Sequence, residues 1–286
     1  MSVIEIKQIR KDYGSTRALD DINLTIQPNR IYGLLGRNGA GKTTLLNLLT
    51  NRIFPTAGEI TVDGESVQEN DRALGQIFYM MEANLYPPAM RVRELFHWSQ
   101  EFYPAFDLSY ASELAQKFGL NLSRRVRELS TGYASIFKAI VALASNAPII
   151  VMDEPVLGLD ANHRDLFYKE LLRNYSEQPK TVIISTHLIE EVSDVLEEVI
   201  IIRDGRVVLQ RPVLDLLAQA YTVSGESDKV DQYIAGKECA GMEAMGRFKS
   251  VTVLEDRQQA DLRLANELGL DIDKVELQKL FISLTN

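Results

Sequence analysis

Gly36-Arg37-Asn38-Gly39-Ala40-Gly41-Lys42-Thr43 has the spacing Gly, four residues, Gly, Lys, then Ser or Thr. Average residue usage makes a chance match in a chain of this length on the order of one per cent. The surroundings add to the pattern. An apolar run at 31–35 reads as a buried strand that ends at Gly36, and a helix opens near 42–50. Glycines there let backbone N–H groups converge on a phosphate, and the helix start adds the positive end of its dipole. Lys42 is expected to bridge the outer phosphates, and the Thr43 hydroxyl to meet Mg²⁺, a hard ion that prefers oxygen.

A second signal lies downstream. Ile149-Ile150-Val151-Met152-Asp153-Glu154 is an apolar run ending in two acids. In a parallel sheet it delivers both carboxylates to the edge where the glycine loop lies. One acid suits the metal, Asp153; the other, Glu154, suits orienting or deprotonating a water.

Around these runs the chain alternates in type. Segments 3–6 and 22–26 alternate apolar and polar residues as half-buried strands do. A hairpin-like segment surrounds 58–64, and helix formers and aromatics dominate 91–146. Buried strands return at 149–152 and 181–185 with a charged helical stretch between them, the order expected of a parallel sheet covered by helices. A strand pair at 199–209 follows, and Pro212 marks a boundary. The tail reads as strand (220–223), helix (227–235), strand (249–254) and helix (258–268), a small α+β unit.

Composition narrows the classes. With 286 residues and 45% hydrophobic content, the chain buries one good core and a small accessory unit. A formal charge of −9 supplies no global field for nucleic acid. Cys239 is the only cysteine, which excludes an intrachain disulfide or a thiolate zinc cluster and suits a reducing cytoplasm. The N-terminus has no signal-peptide pattern, so no export or processing is expected. The most apolar stretches, 147–152 and 199–202, fall well short of the roughly 18 residues of a membrane helix, so no transmembrane segment of its own is expected.

Further motifs arrive in a recognisable order. Leu129-Ser130-Thr131-Gly132-Tyr133 resembles the signature LSGGQ, Leu157-Gly158-Leu159-Asp160 resembles a D-loop, and His187 resembles a switch histidine. Together with the two motifs above, they make the chain resemble the nucleotide-binding subunit of bacterial ABC transporters, exporter-like and with a C-terminal accessory domain, over about 3–209. The resemblance implies an α/β P-loop NTPase of ABC type: a mixed sheet with helices on both faces, an N-terminal antiparallel β subdomain and a helical insert at about 88–146. Domains then run 1–211 and 212–286.

The resemblance also implies ATP hydrolysis with Mg²⁺ coupled to transport, probed through named residues. Tyr13, Gly36, Asn38, Gly39, Ala40, Gly41, Lys42, Thr43 and Thr44 would hold nucleotide, with Tyr13 stacked on adenine. Thr43 and Asp153 would serve the metal, and Glu154 and His187 the chemistry. Ser130, Thr131 and Gly132 would meet the γ-phosphate held by an opposing subunit, beside Asp160. Ser130 opens a helix and so offers donors and a dipole to an anion. The partners implied are a second ABC ATPase, identical or not, and an integral membrane permease, with the chain peripheral on the cytoplasmic face of the plasma membrane and not bound to nucleic acid.

Departures from the pattern set further expectations. The position of the family's metal-reaching glutamine falls on either Met81 or Glu82; a thioether does not replace an amide oxygen on a hard cation, whereas a carboxylate does. Thr131, Tyr133 and Leu157 also depart, which points to hydrolysis that is slow or partner-dependent. Two other readings stay open: an ATP-gated dimerising scaffold that barely hydrolyses, and a non-transport ABC ATPase. Phe96, Trp98, Phe102, Tyr103 and Phe106 crowd the helical insert, either as core or, for some rings, facing a groove for the membrane partner.

Overall fold

Alternation of Ile4, Ile6 and Ile9 with polar neighbours gives strand β1 (Ile4–Tyr13) one buried face in a computed structural model that describes residues 2–285. It pairs antiparallel with β2 (Thr16–Ile26), whose Leu19, Ile22, Leu24 and Ile26 bury alongside. Next come β3 (Ile31–Leu35), α1 (Lys42–Leu49), β4 (Ala57–Val62), β5 (Glu65–Ser66), α2 (Asp71–Leu74) and β6 (Ile77–Met80). Strands β1, β2, β4 and β5 form one antiparallel sheet in the order β2-β1-β4-β5.

Helices α3 (Val92–Phe102), α4 (Leu108–Lys117) and α5 (Thr131–Ala144) make the helical insert. They are followed by β7 (Ile149–Asp153), α6 (Ala161–Glu177) and β8 (Thr181–Thr186). Strands β3, β7 and β8 have no exposed residue, which explains their unbroken apolar runs: both faces of a parallel strand are covered. Within the second sheet, β3, β8, β7 and β6 lie side by side in that order, each pair parallel. Register aligns Leu35 with Thr186, Asp153 with Ser185, and Met80 with Met152. The carboxyl ends of four strands therefore open on one edge, and the residues just beyond them are Gly36, His187, Glu154 and Met81.

Beyond β8 come α7 (Ile189–Val192), β9 (Glu198–Arg203), β10 (Arg206–Pro212), α8 (Val213–Ala218), β11 (Tyr221–Glu226), α9 (Ser227–Tyr233), β12 (Cys239–Met245), β13 (Phe248–Val253), α10 (Leu262–Leu268), β14 (Asp271–Lys274) and α11 (Leu277–Thr285). Residue contacts divide the chain into one compact unit of 1–187 with 202–208 and another of 188–201 with 209–286. Residues 188–201, ahead of the boundary read at Pro212, group with the second unit.

The second unit contains an antiparallel sheet in the order β12-β13-β11-β14, with α9 and α10 completing a strand-helix-strand-strand-helix-strand of ferredoxin-like type. Its core is Tyr221, Val223, Val230, Tyr233, Val251, Val253, Ala265 and Leu270. The sequence outline of this tail lacked four elements, among them the short helix α8. Strand β12 is almost wholly exposed and so carries no apolar alternation, β14 hides in the acidic Asp271-Ile272-Asp273 that reads as surface, and α11 lies at the chain end.

Candidate functional site

The glycine loop joins β3 to α1 where the main chain runs against its neighbours. A Cβ on Gly36 would lie 2.6 Å from the Ile202 carbonyl oxygen, and one on Gly41, at φ +109°, 2.8 Å from that of Ala18. Only glycine meets both demands. Lys42 is buried, and its ammonium donates to the Gly36 carbonyl at 2.7 Å and the Arg37 carbonyl at 3.3 Å. Burial lowers its pKa, opposed by the charges of Glu154 and Asp153. A group recognising phosphate has to keep its proton, and those two carboxylates help it do so.

The Thr43 hydroxyl donates to Asp153 Oδ2 at 2.8 Å, so the two oxygens expected at a metal stand together although 110 residues separate them. On β6 the Tyr79 phenol has its pKa raised well above the ordinary range, by burial first and by the nearby Asp153 charge second. All these donors are hard oxygens. Among the described residues no cluster of three or more His, Cys, Asp or Glu could hold a metal. A site of one hydroxyl and one carboxylate fits Mg²⁺, which keeps waters and takes phosphate oxygens for its remaining positions.

Glu154 follows Asp153 at φ +50°, a left-handed conformation that costs about 1 kcal/mol or more for a non-glycine residue. Three bonds hold it there: its N–H donates to the Ser185 carbonyl at 2.8 Å, Thr186 Oγ1 donates to Oε2 at 3.1 Å, and Oε1 lies 2.8 Å from His187 Nδ1. Thr186 at the end of β8 and His187 just beyond it thus fix one carboxylate at the sheet edge.

A cavity of about 410 Å³ unites these groups: Asn38, Gly39, Gly41, Lys42, Thr43 and Thr44 line it with Asp153, Glu154 and His187. Gly36 and Ala40 belong to the loop but not to the lining. Glu82 lines this cavity, whereas Met81 lines a different one, a groove of about 320 Å³ that also includes Tyr79, Tyr86 and Tyr103. Tyr13, at the end of β1, is 49% exposed under the Lys11 ammonium and lies outside the lining.

Ser130 is the N-cap of α5, its Oγ accepting from the Tyr133 N–H at 3.3 Å. The D-loop packs on this helix start: a Cβ on Gly132 would meet the Gly158 carbonyl oxygen at 2.7 Å, and Ser135 Oγ donates to the Leu157 carbonyl at 2.8 Å. Asp160 caps α6, accepting from the His163 N–H at 2.9 Å, and its pKa is held down by that bond first. Ser130, Thr131, Gly132 and Asp160 therefore form a separate outward patch, not part of the phosphate cavity.

The aromatic cluster divides. Phe96 and Phe106 are core, and Tyr103 lines the groove. Trp98 and Phe102, 53% and 72% exposed, stack on each other at 6.3 Å and do not line it. Tyr79, Thr186 and Lys138 are neighbours of these groups that sequence reasoning missed. A lysine inside the apolar run 136–144 is the one signal that was visible.

Comparison with known proteins gives a consistent picture. The family described as ABC transporter matches residues 19–157. ABC transporter ATP-binding protein NatA of Bacillus subtilis is 31% identical over 67% of this chain and 80% of its own, and YtrB of the same organism is 28% identical over 97% and 98%. The Nod factor export ATP-binding protein I of Rhizobium etli is 28% identical over 100% of this chain and 94% of its own. The ribose import ATP-binding protein RbsA of Oceanobacillus iheyensis is also 28% identical, but the chain spans only 43% of its length. Among solved structures, the dimeric cassette MJ0796 superimposes with a TM-score of 0.66 at 25% identity, over 73% of this chain and 98% of that one.

Proposed function

The chain belongs to the ABC transporter ATP-binding family, and on that premise we propose that it is the ATP-hydrolysing subunit of an exporter, closing as a dimer around two Mg·ATP. Each ATP lies in the cavity of one copy, with Lys42 and the Asn38 to Thr44 loop on its phosphates and Thr43 and Asp153 on the metal. Bound Mg²⁺ would draw charge from the phosphate oxygens as the terminal phosphoryl group leaves. Glu154 takes the proton of the attacking water, and His187 keeps that carboxylate in place and meets the γ-phosphate. Ser130 and the Gly132 backbone of the second copy close the other side, because a helix start with a free hydroxyl proton suits an anion. Tyr13 stacks on adenine from its exposed position at the rim.

The single observation that carries this reading is the Glu154 carboxylate, fixed by Thr186 and His187 at the edge that also holds the Thr43–Asp153 pair. Placement in the phosphate cavity favours Glu82 over Met81 as the replacement for the family's glutamine. Thr131, Tyr133 and Leu157 remain unusual near the opposing site, which supports slow or partner-dependent turnover. Export is favoured because the export-named relative matches this chain in length whereas the import-named one does not. No helix among the described residues is long and apolar enough to cross a membrane. In this reading the partner is a separate permease, with the chain peripheral on the cytoplasmic face.

Glu154→Gln tests the reading. Turnover is expected to fall roughly a hundredfold with nucleotide affinity retained. The same variant should sediment as a dimer in Mg·ATP and as a monomer without it. Retained turnover removes Glu154 from its role, and a monomer at saturating Mg·ATP removes the sandwich.

A further inference from the structure

Helix α5 is apolar and buried from Ile136 to Ala144 with one exception. Lys138 sits in the middle of that run, 6% exposed, where methionine would pack as well and carry no charge. Burial lowers its pKa, so the charge is unfavourable there in itself, and the Glu82 and Asp153 carboxylates only partly offset that. The geometry says what holds the ammonium. Its Nζ donates to two consecutive carbonyls, Met81 at 2.9 Å and Glu82 at 2.6 Å, in the loop that leaves β6.

Those two residues face opposite ways. Met81 lines the groove and not the phosphate cavity, and Glu82 lines the phosphate cavity and not the groove. Lys138 itself lines the groove on one side and, on the other, a cavity of about 440 Å³ bounded by Glu82, Thr131, Glu154 and Leu157. It is therefore part of the wall between them. Two short bonds from one ammonium fix the peptide planes on both sides of Glu82, and so the direction in which its carboxylate leaves the main chain. The same lysine lies eight residues along α5 from Ser130, about 12 Å at the α-helical rise.

We propose that Lys138 is a positioning residue: bonded to the Met81 and Glu82 carbonyls, it aims the Glu82 carboxylate at the Mg·ATP site and makes the groove-side loop move with the helix that carries Ser130. This rests on the reading above that Glu82 reaches the metal. A purely structural lysine would pin the loop with no effect on metal, and the two roles differ in what they predict.

The test is nucleotide binding by the full chain, read with a fluorescent ATP analogue titrated across Mg²⁺ concentration. Lys138→Met should raise the Mg²⁺ midpoint about tenfold, the size seen when partners that orient a metal ligand are removed. Glu82→Ala should raise it as much, and the double variant no further, because both act through one carboxylate. Lys138→Arg keeps charge and donors and should fall nearer the native midpoint than Lys138→Met does. If Lys138→Met loses its circular dichroism, Lys138→Gln, which keeps a donor for one carbonyl, carries the same comparison.

A Lys138→Met midpoint within about twofold of native beside a tenfold shift for Glu82→Ala overturns the proposal, as does a double variant whose shifts multiply to about a hundredfold. An unmoved midpoint in Glu82→Ala removes the metal role of Glu82 and the proposal with it. Native binding that ignores Mg²⁺ altogether would reject the Mg·ATP reading itself.

Discussion

Lys180 shows how a single buried side chain sets a pH dependence far from the nucleotide. It precedes β8, is 5% exposed, and its ammonium donates to the Asn146 amide oxygen at a long 3.5 Å; burial pushes its pKa down to about 8. An unfolded lysine titrates near 10.4, so between pH 8 and that value the unfolded chain binds more protons than the folded one. Stability contributed at this position therefore rises with pH across that window, and below it Lys180 is a constant burden. Lys180→Met keeps the aliphatic stem, so it should raise the melting temperature at pH 7, with the advantage shrinking as pH climbs from 8 toward 10.5. Melting curves at pH 7 and pH 10 check this; an equal gain at both would mean that packing, not charge, is responsible. At this scale the site was legible where chemistry is local in sequence. Gly36 to Thr43 and the Asp153-Glu154 pair announce themselves by spacing. Tyr79 and Lys138 did not, because parallel register brings β6 beside β7 and a helix interior delivers the ammonium to residues more than fifty positions away.

Between elements, the helical insert meets the rest of its unit through side chains on α4 and α6. Lys117 Nζ lies 2.6 Å from the Oε1 of Glu170, whose side chain is buried, while Glu113 reaches Arg173 at 3.2 Å. Removing Lys117 strands a buried carboxylate with Arg173 at 3.7 Å as its nearest remaining cation. By contrast, Lys169 and Asp165 pair within α6 in open solvent. Lys117→Met is accordingly expected to cost about 1–3 kcal/mol of unfolding free energy and Lys169→Met under about 0.5 kcal/mol. Urea titration of the two variants separates them, and equal losses would deny α4 and α6 this link. The same contrast explains what could be read of the elements. Strands covered on both faces, β3, β7 and β8, were plain as apolar runs; β12 and β14 are edge strands with solvated side chains, and nothing in a single strand's composition distinguishes those from loop.

For the whole molecule, every residue of the phosphate cavity lies in the first unit, and the second has a core of its own built on Tyr221, Val223, Val251 and Val253. The family model's match at 19–157 falls within the first unit, and none of the lining of the phosphate cavity comes from the ferredoxin-like sheet. In the sequence only Pro212 signalled a boundary, and 188–201 groups with the second unit by tertiary contacts that no local signal records. A ligand that binds the native state alone stabilises it by about 2.7 kcal/mol at a hundred times its dissociation constant, and that stabilisation is confined to the structure that must unfold to release it. Hydrogen exchange under native conditions should therefore slow in Mg·ATP at β3, α1, β7 and β8, whose ends hold the nucleotide, and stay unchanged at β11 and β13. Protection spreading equally into β11 and β13 would mean that the two units open as one cooperative body, and that the accessory sheet senses nucleotide.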